Sequence, residues 1–404
     1  MALFDFLKRR RLEDEFAERV RTRLRERGWS HEMTYDREAF SLTGGPEPFV
    51  LNLGSMYRDW AAYPKREQSA QLDRVVAPLL EADLVTTYEE AAPRLLPAIR
   101  SLANLEALAL DAEASLEIAY PHQPFAGSLA TLLAVDLPHT ISVMGVQTIK
   151  AWDRSLDELL ARAMENLIAI SPVRFRQTDA GYHISDYGDG YDSSRLLMPE
   201  LFLALQLKGP PVAVAVTRDM VVVAGRDDPP ALQAMAAHVV QAFNEATRPL
   251  SWLPLILRDG RWEPFEGALT PELGATRDLA IRQAIWDYGL QAPRLERYFE
   301  RQGQDIYVAP LEPIRSRGEA FTWTSWTEGV AALLPAAQGI GMTTADDRRI
   351  FRLWSDIETV CGVFAEDTTF HPSRYRPPPW PTEAEFSRLE TEFSTPEWWV
   401  EVAP

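Results

Sequence analysis

The chain has one cysteine, Cys361, among its 404 residues. That excludes an intrachain disulfide and any zinc site built from several thiolates, and it suggests a reducing cytoplasm. Cys361 lies in the apolar run Thr359–Phe364, the setting of an inert buried thiol rather than a nucleophile. Long apolar runs are missing too: none reaches the roughly 18 residues that mark a membrane-spanning helix. Positive charge is scarce, with 41 Lys and Arg against 59 Asp and Glu and a formal net charge of −18. Nucleic acid is therefore not an expected partner, because phosphate binding requires a basic footprint. The six histidines (His31, His122, His139, His183, His238, His371) are scattered, and no two have the short spacing of paired metal ligands. No nucleophile elbow, phosphate-cradling glycine loop or zinc-protease helix motif occurs. Gly188-Asp189-Gly190 lacks the third glycine and the preceding long strand of a dinucleotide fingerprint.

What is present is an ordinary globular composition, 46% hydrophobic and 25% charged, in a chain long enough for two or three domains. The acid is uneven. Between Leu84 and Val146, Glu89, Glu90, Glu106, Asp111, Glu113, Glu117 and Asp136 face only Arg94 and Arg100. Such acidity keeps a surface soluble, and a basic partner is the sharper reading. The start, MALFDFLKRRR, puts apolar residues before basic ones, the reverse of a secretory signal peptide. Contact of this segment with an acidic membrane surface is left open.

Periodicity supplies the elements. Leu12, Phe16, Val20 and Leu24 form one helical stripe that Gly28 should stop. Thr87-x-x-Glu90, Ser155-x-x-Glu158 and Thr382-x-x-Glu385 have capping-box spacing and should each open a helix. Pro93, just before RLLPAIR, fits a first turn, whereas Pro97 within it breaks a helix interior. PVAVAVT and MVVVAG are apolar at consecutive positions, as in strands covered on both faces. Asp228-Pro229 should start a helix, Asp259-Gly260 should turn a hairpin, and Thr270-Pro271-Glu272 should cap a helical pair reaching Arg301.

The predicted fold class is α+β, with two consecutive lobes of mainly antiparallel sheet flanked by helices, over residues 1–150 and 151–267. The order is α-β-β-α-β-β-α in the second lobe and loosely similar in the first. A smaller aromatic-rich α+β domain, 268–404, follows. Its prolines from Pro377 to Pro381 make an extended spacer, after which Trp398 and Trp399 should dock on the body.

Candidate chemistry concentrates between Tyr182 and Asp228. Asp186, Asp189 and Asp192 stand at spacing three in a glycine-containing loop ahead of a helix, and Arg218-Asp219 forms a hairpin tip. Three carboxylates suit a hard cation such as Mg²⁺ or Ca²⁺. With Arg195 and the hairpin tip alongside, the cluster becomes a mixed carboxylate–guanidinium site, and Arg94 and Arg100 could complete an anion pocket. The calcium-loop pattern, however, requires a glutamate where Leu197 stands. A plain structural role is open to every residue. Gly188 and Gly190 permit a tight turn, Asp192 or Ser193 caps the next helix, and Asp186 and Asp189 pair with Arg174, Arg195 or Arg218. The structural role is the expectation adopted.

Four stretches carry a resemblance: RLLPAIR at Arg94–Arg100, AWDRSLDELLARAMENL from Ala151, DGYDSSRLL at Asp189–Leu197 and TRDMVVVAG at Thr217–Gly225. In this order, over residues 1–266, the chain resembles the YtpQ-like bacterial family of unknown function. The resemblance implies no reaction, ligand or catalytic residue, and it makes 268–404 an additional region.

Two functions follow as expectations. One is a cytosolic, non-enzymatic protein-binding or adaptor protein without cofactor, whose partner is another protein and whose tryptophans serve as anchors. The alternative is a metal-assisted hydrolase or small-molecule-binding protein using Asp186, Asp189, Asp192 and Asp219.

Overall fold

The computed structural model describes residues 2–37, 40–44, 49–82, 87–112, 115–118, 120–137, 140–246, 249–265 and 274–400. The expected cap at Thr270-Pro271-Glu272 and the side chains of residues 1–10, which bear on the N-terminal surface contact, lie outside the described residues. Helices and mainly antiparallel sheets make the chain α+β. It divides into two compact units, Met1–Ala98 with Ala119–Gln123 and Leu132–Ser171, and Ile99–Ile118 with Pro124–Thr131 and Pro172–Pro404.

In the first unit, helix Ala2–Glu26 buries Phe16, Ala17, Val20 and Leu24 completely. Leu12, expected on the same stripe, is 42% exposed, so the buried stripe begins a turn later. Gly28 stops the helix with φ +94°, while Trp29 N donates to Leu24 O and Gly28 N to Arg25 O. Those paired bonds satisfy carbonyls that the helix end would otherwise leave open. The antiparallel strands Met33–Asp36, Ser41–Gly44 and Phe49–Asn52, with helices Leu53–Ala62 and Gln68–Ala82, complete a core around Phe16, Trp29, Leu42 and Val76. Asp73 accepts Arg23 at 2.7 Å and Arg27 at 2.8 Å, tying the third helix to the first.

All three capping boxes form. The one at Thr87 opens only the single turn Tyr88–Ala91, followed by a 3₁₀ turn Ala92–Arg94 and the strand Leu95–Ser101. RLLPAIR is thus mostly strand rather than broken helix. Leu95, Leu96, Ala98 and Ile99 are all buried, and the strand stands at the end of its sheet, the position where Pro97's missing donor is tolerated. Helix Leu156–Ala169 buries Leu159, Leu160, Ala163 and Leu167, and its Asn166 amide donates to Ala92 O and Leu95 O, both at 2.9 Å.

In the second unit a six-stranded antiparallel sheet runs in the order Arg261–Pro264, Leu255–Arg258, Pro211–Thr217, Met220–Gly225, His183–Ser185, Phe175–Gln177. Val212, Val214, Val216, Val221, Val222 and Val223 are wholly buried, each contributing about 1.5–3 kcal/mol of apolar burial. Helix Pro229–Glu245 covers one face with Leu232, Met235, Ala236, Val239 and Phe243. The Asp259-Gly260 turn takes φ +48° and +76°, the left-handed pair of a tight hairpin. Gly225 is required by proximity, since a Cβ there would stand 2.3 Å from Lys208 O and 2.6 Å from Lys208 N.

Instead of a helical pair, one helix spans Gly274–Arg301 with Pro293 inside it. Beyond it, strands Glu312–Ser316, Glu319–Thr327, Gly339–Thr343 and Arg349–Leu353 form a mixed sheet whose middle pair is parallel. Trp399 stacks on Phe351 at 3.7 Å and Trp398 on Phe321 at 4.7 Å, so the tryptophan pair is docked. Among the described residues no helix is long and apolar enough to cross a membrane.

Candidate functional site

Strand His183–Ser185 delivers the chain into the aspartate loop. Gly188 at φ +70° and Gly190 at φ +78° take the left-handed conformation that costs glycine nothing, which folds Asp189 back over the loop. Its carboxylate accepts Tyr191 N at 2.9 Å and both terminal nitrogens of Arg195, Nη1 at 2.9 Å and Nη2 at 2.6 Å. Arg195 is 1% exposed, and its guanidinium lies 3.5 Å from the Tyr187 ring centre, a stacked arrangement that suits its planar cation. Burial alone would raise the Asp189 pKa, but the two-toothed Arg195 pair and Tyr191 N outweigh it and hold the carboxyl below the ordinary aspartate range.

Asp192 differs. It is 1% exposed and accepts the Ser185 hydroxyl and, at 3.4 Å, Tyr187 N. Burial dominates and pushes its pKa up despite those bonds. Ser185 in turn accepts Val221 N at 2.9 Å, so the loop is tied to the sheet interior. Among the described residues Asp192 Oδ2 and Ser193 Oγ have no hydrogen-bond partner. The expected side-chain cap is not made. A 3₁₀ turn Ser193–Leu197 follows, then the short helix Pro199–Leu203, because Pro199 lacks the N–H a continuous helix would need and is suited to a first turn.

The hairpin tip joins through backbone, Ser193 N donating to Arg218 O at 3.0 Å. Asp219 is exposed and accepts Thr217 Oγ1 at 2.5 Å. Asp186 is exposed at the loop's start, with its N–H on Arg174 O. Arg94 is exposed in the first unit, while Arg100 belongs to the second and donates to Ile99 O at 2.8 Å. The structure therefore unites Asp189, Asp192 and Arg195, links Arg218 by its carbonyl, and leaves Asp186 and Asp219 facing water. Among the described residues no three His, Cys, Asp or Glu side chains gather as a metal ion would require. Cys361 is half-buried, and burial pushes its thiol up to about 11.

Sequence reasoning missed a second polar cluster. Glu106, counted above as surface acid, is wholly buried. It accepts Gln291 Nε2 and His371 N, each at 2.8 Å. Gln291 Oε1 accepts Arg374 Nε at 2.6 Å, and Arg374 Nη1 donates to Ala309 O at 2.6 Å. One turn along the same helix, Tyr288 donates to Ser373 O at 2.8 Å, and Gln283 Nε2 donates to Asp287 Oδ1 at 2.8 Å. Burial raises Glu106 to about 7 and Asp287 to about 6. Gln283, Asp287 and Gln291 recur every four residues in an otherwise apolar helical stripe, which was the available signal. Sealed from solvent, the network braces the second unit and offers no surface to a substrate.

Comparison with protein-family models, curated proteins and solved structures gave no match.

Proposed function

We propose that this chain is a cytosolic, non-enzymatic protein-binding or adaptor protein, and that residues 1–266 form a YtpQ-like region. The observation that supports this reading is the internal commitment of the acidic loop. Asp189 is held by Arg195 and Tyr191, Asp192 is buried against Ser185, and Asp219 is held by Thr217. Activation of water by an ion needs carboxylates that converge on an open position, and these side chains serve as ties within the fold instead. The adaptor reading is tested by affinity capture with the full chain at moderate salt. A stoichiometric protein partner is expected, and repeated capture of nothing, with monomeric elution, would count against it.

A further inference from the structure

The sheet of the second unit ends on strand Phe175–Gln177, which among the described residues pairs only with His183–Ser185. Its register decides which backbone groups are used. Arg174 O accepts Asp186 N at 3.1 Å, and Thr178 N donates to Tyr182 O at 2.8 Å. Residues 174, 176 and 178 therefore turn their backbone groups inward, and by strand alternation Phe175 and Gln177 turn theirs outward. Arg174, Arg176 and Gln177 are exposed, and Val173, just before the strand, is 51% exposed. Such an edge is a template for another strand.

Charge decides which strand. Arg174 and Arg176 share one face, and among the described residues neither forms a salt bridge; Arg176 stands near enough to His238 to lower that ring's pKa, beside the larger effect of burial. Asp186 stands opposite Arg174 in the register, and Asp179 lies in the hairpin turn. The other face carries Phe175, which packs edge-on to Tyr187 and Phe202. We propose that this edge docks an extended segment of a partner protein in which acidic residues alternate with apolar ones. The acids would face Arg174 and Arg176, and the apolar residues would lie beside Val173 and Phe175. A second copy of this chain is disfavoured, because it would set arginines against arginines.

The proposal rests on the protein-binding reading and names its surface. The test uses a labelled, acetylated peptide of alternating Glu and Val, followed by fluorescence anisotropy with the full chain. Saturable binding that weakens with added salt is expected, and the same peptide with Lys for Glu should not bind. Gln177→Pro removes an outward donor without touching a sheet hydrogen bond and should weaken binding about tenfold or more. Arg176→Glu, which leaves the backbone intact, should weaken it at least as much. Melting temperatures of both variants establish that they fold. Failure of the peptide to bind, or binding that both variants leave unchanged, overturns the proposal. A dimer by light scattering that Gln177→Pro dissolves also overturns it, in favour of self-association. If a stoichiometric cellular partner is captured equally by wild type and both variants, the edge proposal falls while the protein-binding reading stands. If no partner and no peptide binds, both fall.

Discussion

Replacing Asp189 with alanine and, separately, Arg195 with methionine should destabilise the second unit unequally. Arg195's side chain is 1% exposed and Asp189's is 35%. Loss of the carboxylate takes two charge-assisted bonds from a guanidinium that cannot reach water, and breaking a buried pair in this way costs about 3–5 kcal/mol. The lower end, about 3 kcal/mol, applies because the aspartate is partly hydrated and its attraction partly screened. The Tyr187 ring also remains against the cation. Loss of the guanidinium instead leaves Asp189 free to turn to water while keeping Tyr191 N, and methionine refills the slot with apolar atoms, for about 1–2 kcal/mol. The double variant should be more stable than Asp189→Ala alone. Hydrogen exchange over residues 186–198, together with urea unfolding, reads these differences. Because the folded pKa of Asp189 is lowered, its contribution is present above the ordinary aspartate value of 3.8 and is lost as pH falls through the folded value. The gap between wild type and Asp189→Ala should therefore narrow in acid. Arg195→Met proving as damaging as Asp189→Ala, or more so, would refute the reasoning.

Two further outcomes are expected. Glu106 and Asp287 have folded pKa values raised to about 7 and about 6, so the stability they contribute is fully present below their ordinary values and is lost as pH rises through the raised ones. Glu106→Gln should flatten the stability profile between pH 4.5 and about 7, removing up to about 1.4 kcal/mol per pH unit of slope, as read by urea titrations at stepped pH. Gly225→Ala would drive a methyl group into the Lys208 backbone and should cost about 1–3 kcal/mol; an unchanged melting temperature would show that the approach is looser than described.

Local signals in the sequence carried over to the structure where the chemistry is local. The capping boxes at Thr87, Ser155 and Thr382 need only four consecutive residues, and all formed. The consecutive valines of Pro211–Thr217 and Met220–Gly225 became a doubly covered sheet centre. Element length was less legible. After one α turn and one 3₁₀ turn beyond Thr87 the chain becomes a strand, because Leu95–Ile99 is apolar on both faces, and Pro199 divides what looked like one helix after the aspartate loop. In that loop, spacing alone suggested three equivalent carboxylates. Burial separates them into a paired Asp189, an inward Asp192 and a solvated Asp186, a distinction set by Ser185 and Arg195 rather than by spacing. The brace of Glu106, Gln291 and Arg374 was invisible because its members lie 185 and 83 residues apart, and nothing in the text near Glu106 distinguishes it from its solvated neighbours.

The claim on which the account depends is that the acidic loop fastens the fold and holds no ion. Thermal melting of the full chain with and without millimolar Mg²⁺, Mn²⁺ or Ca²⁺ tests it directly, since an ion at a hundredfold its dissociation constant would add about 2.7 kcal/mol. Superimposed melting curves are predicted. A rise of several degrees that vanishes in Asp189→Asn would contradict the account.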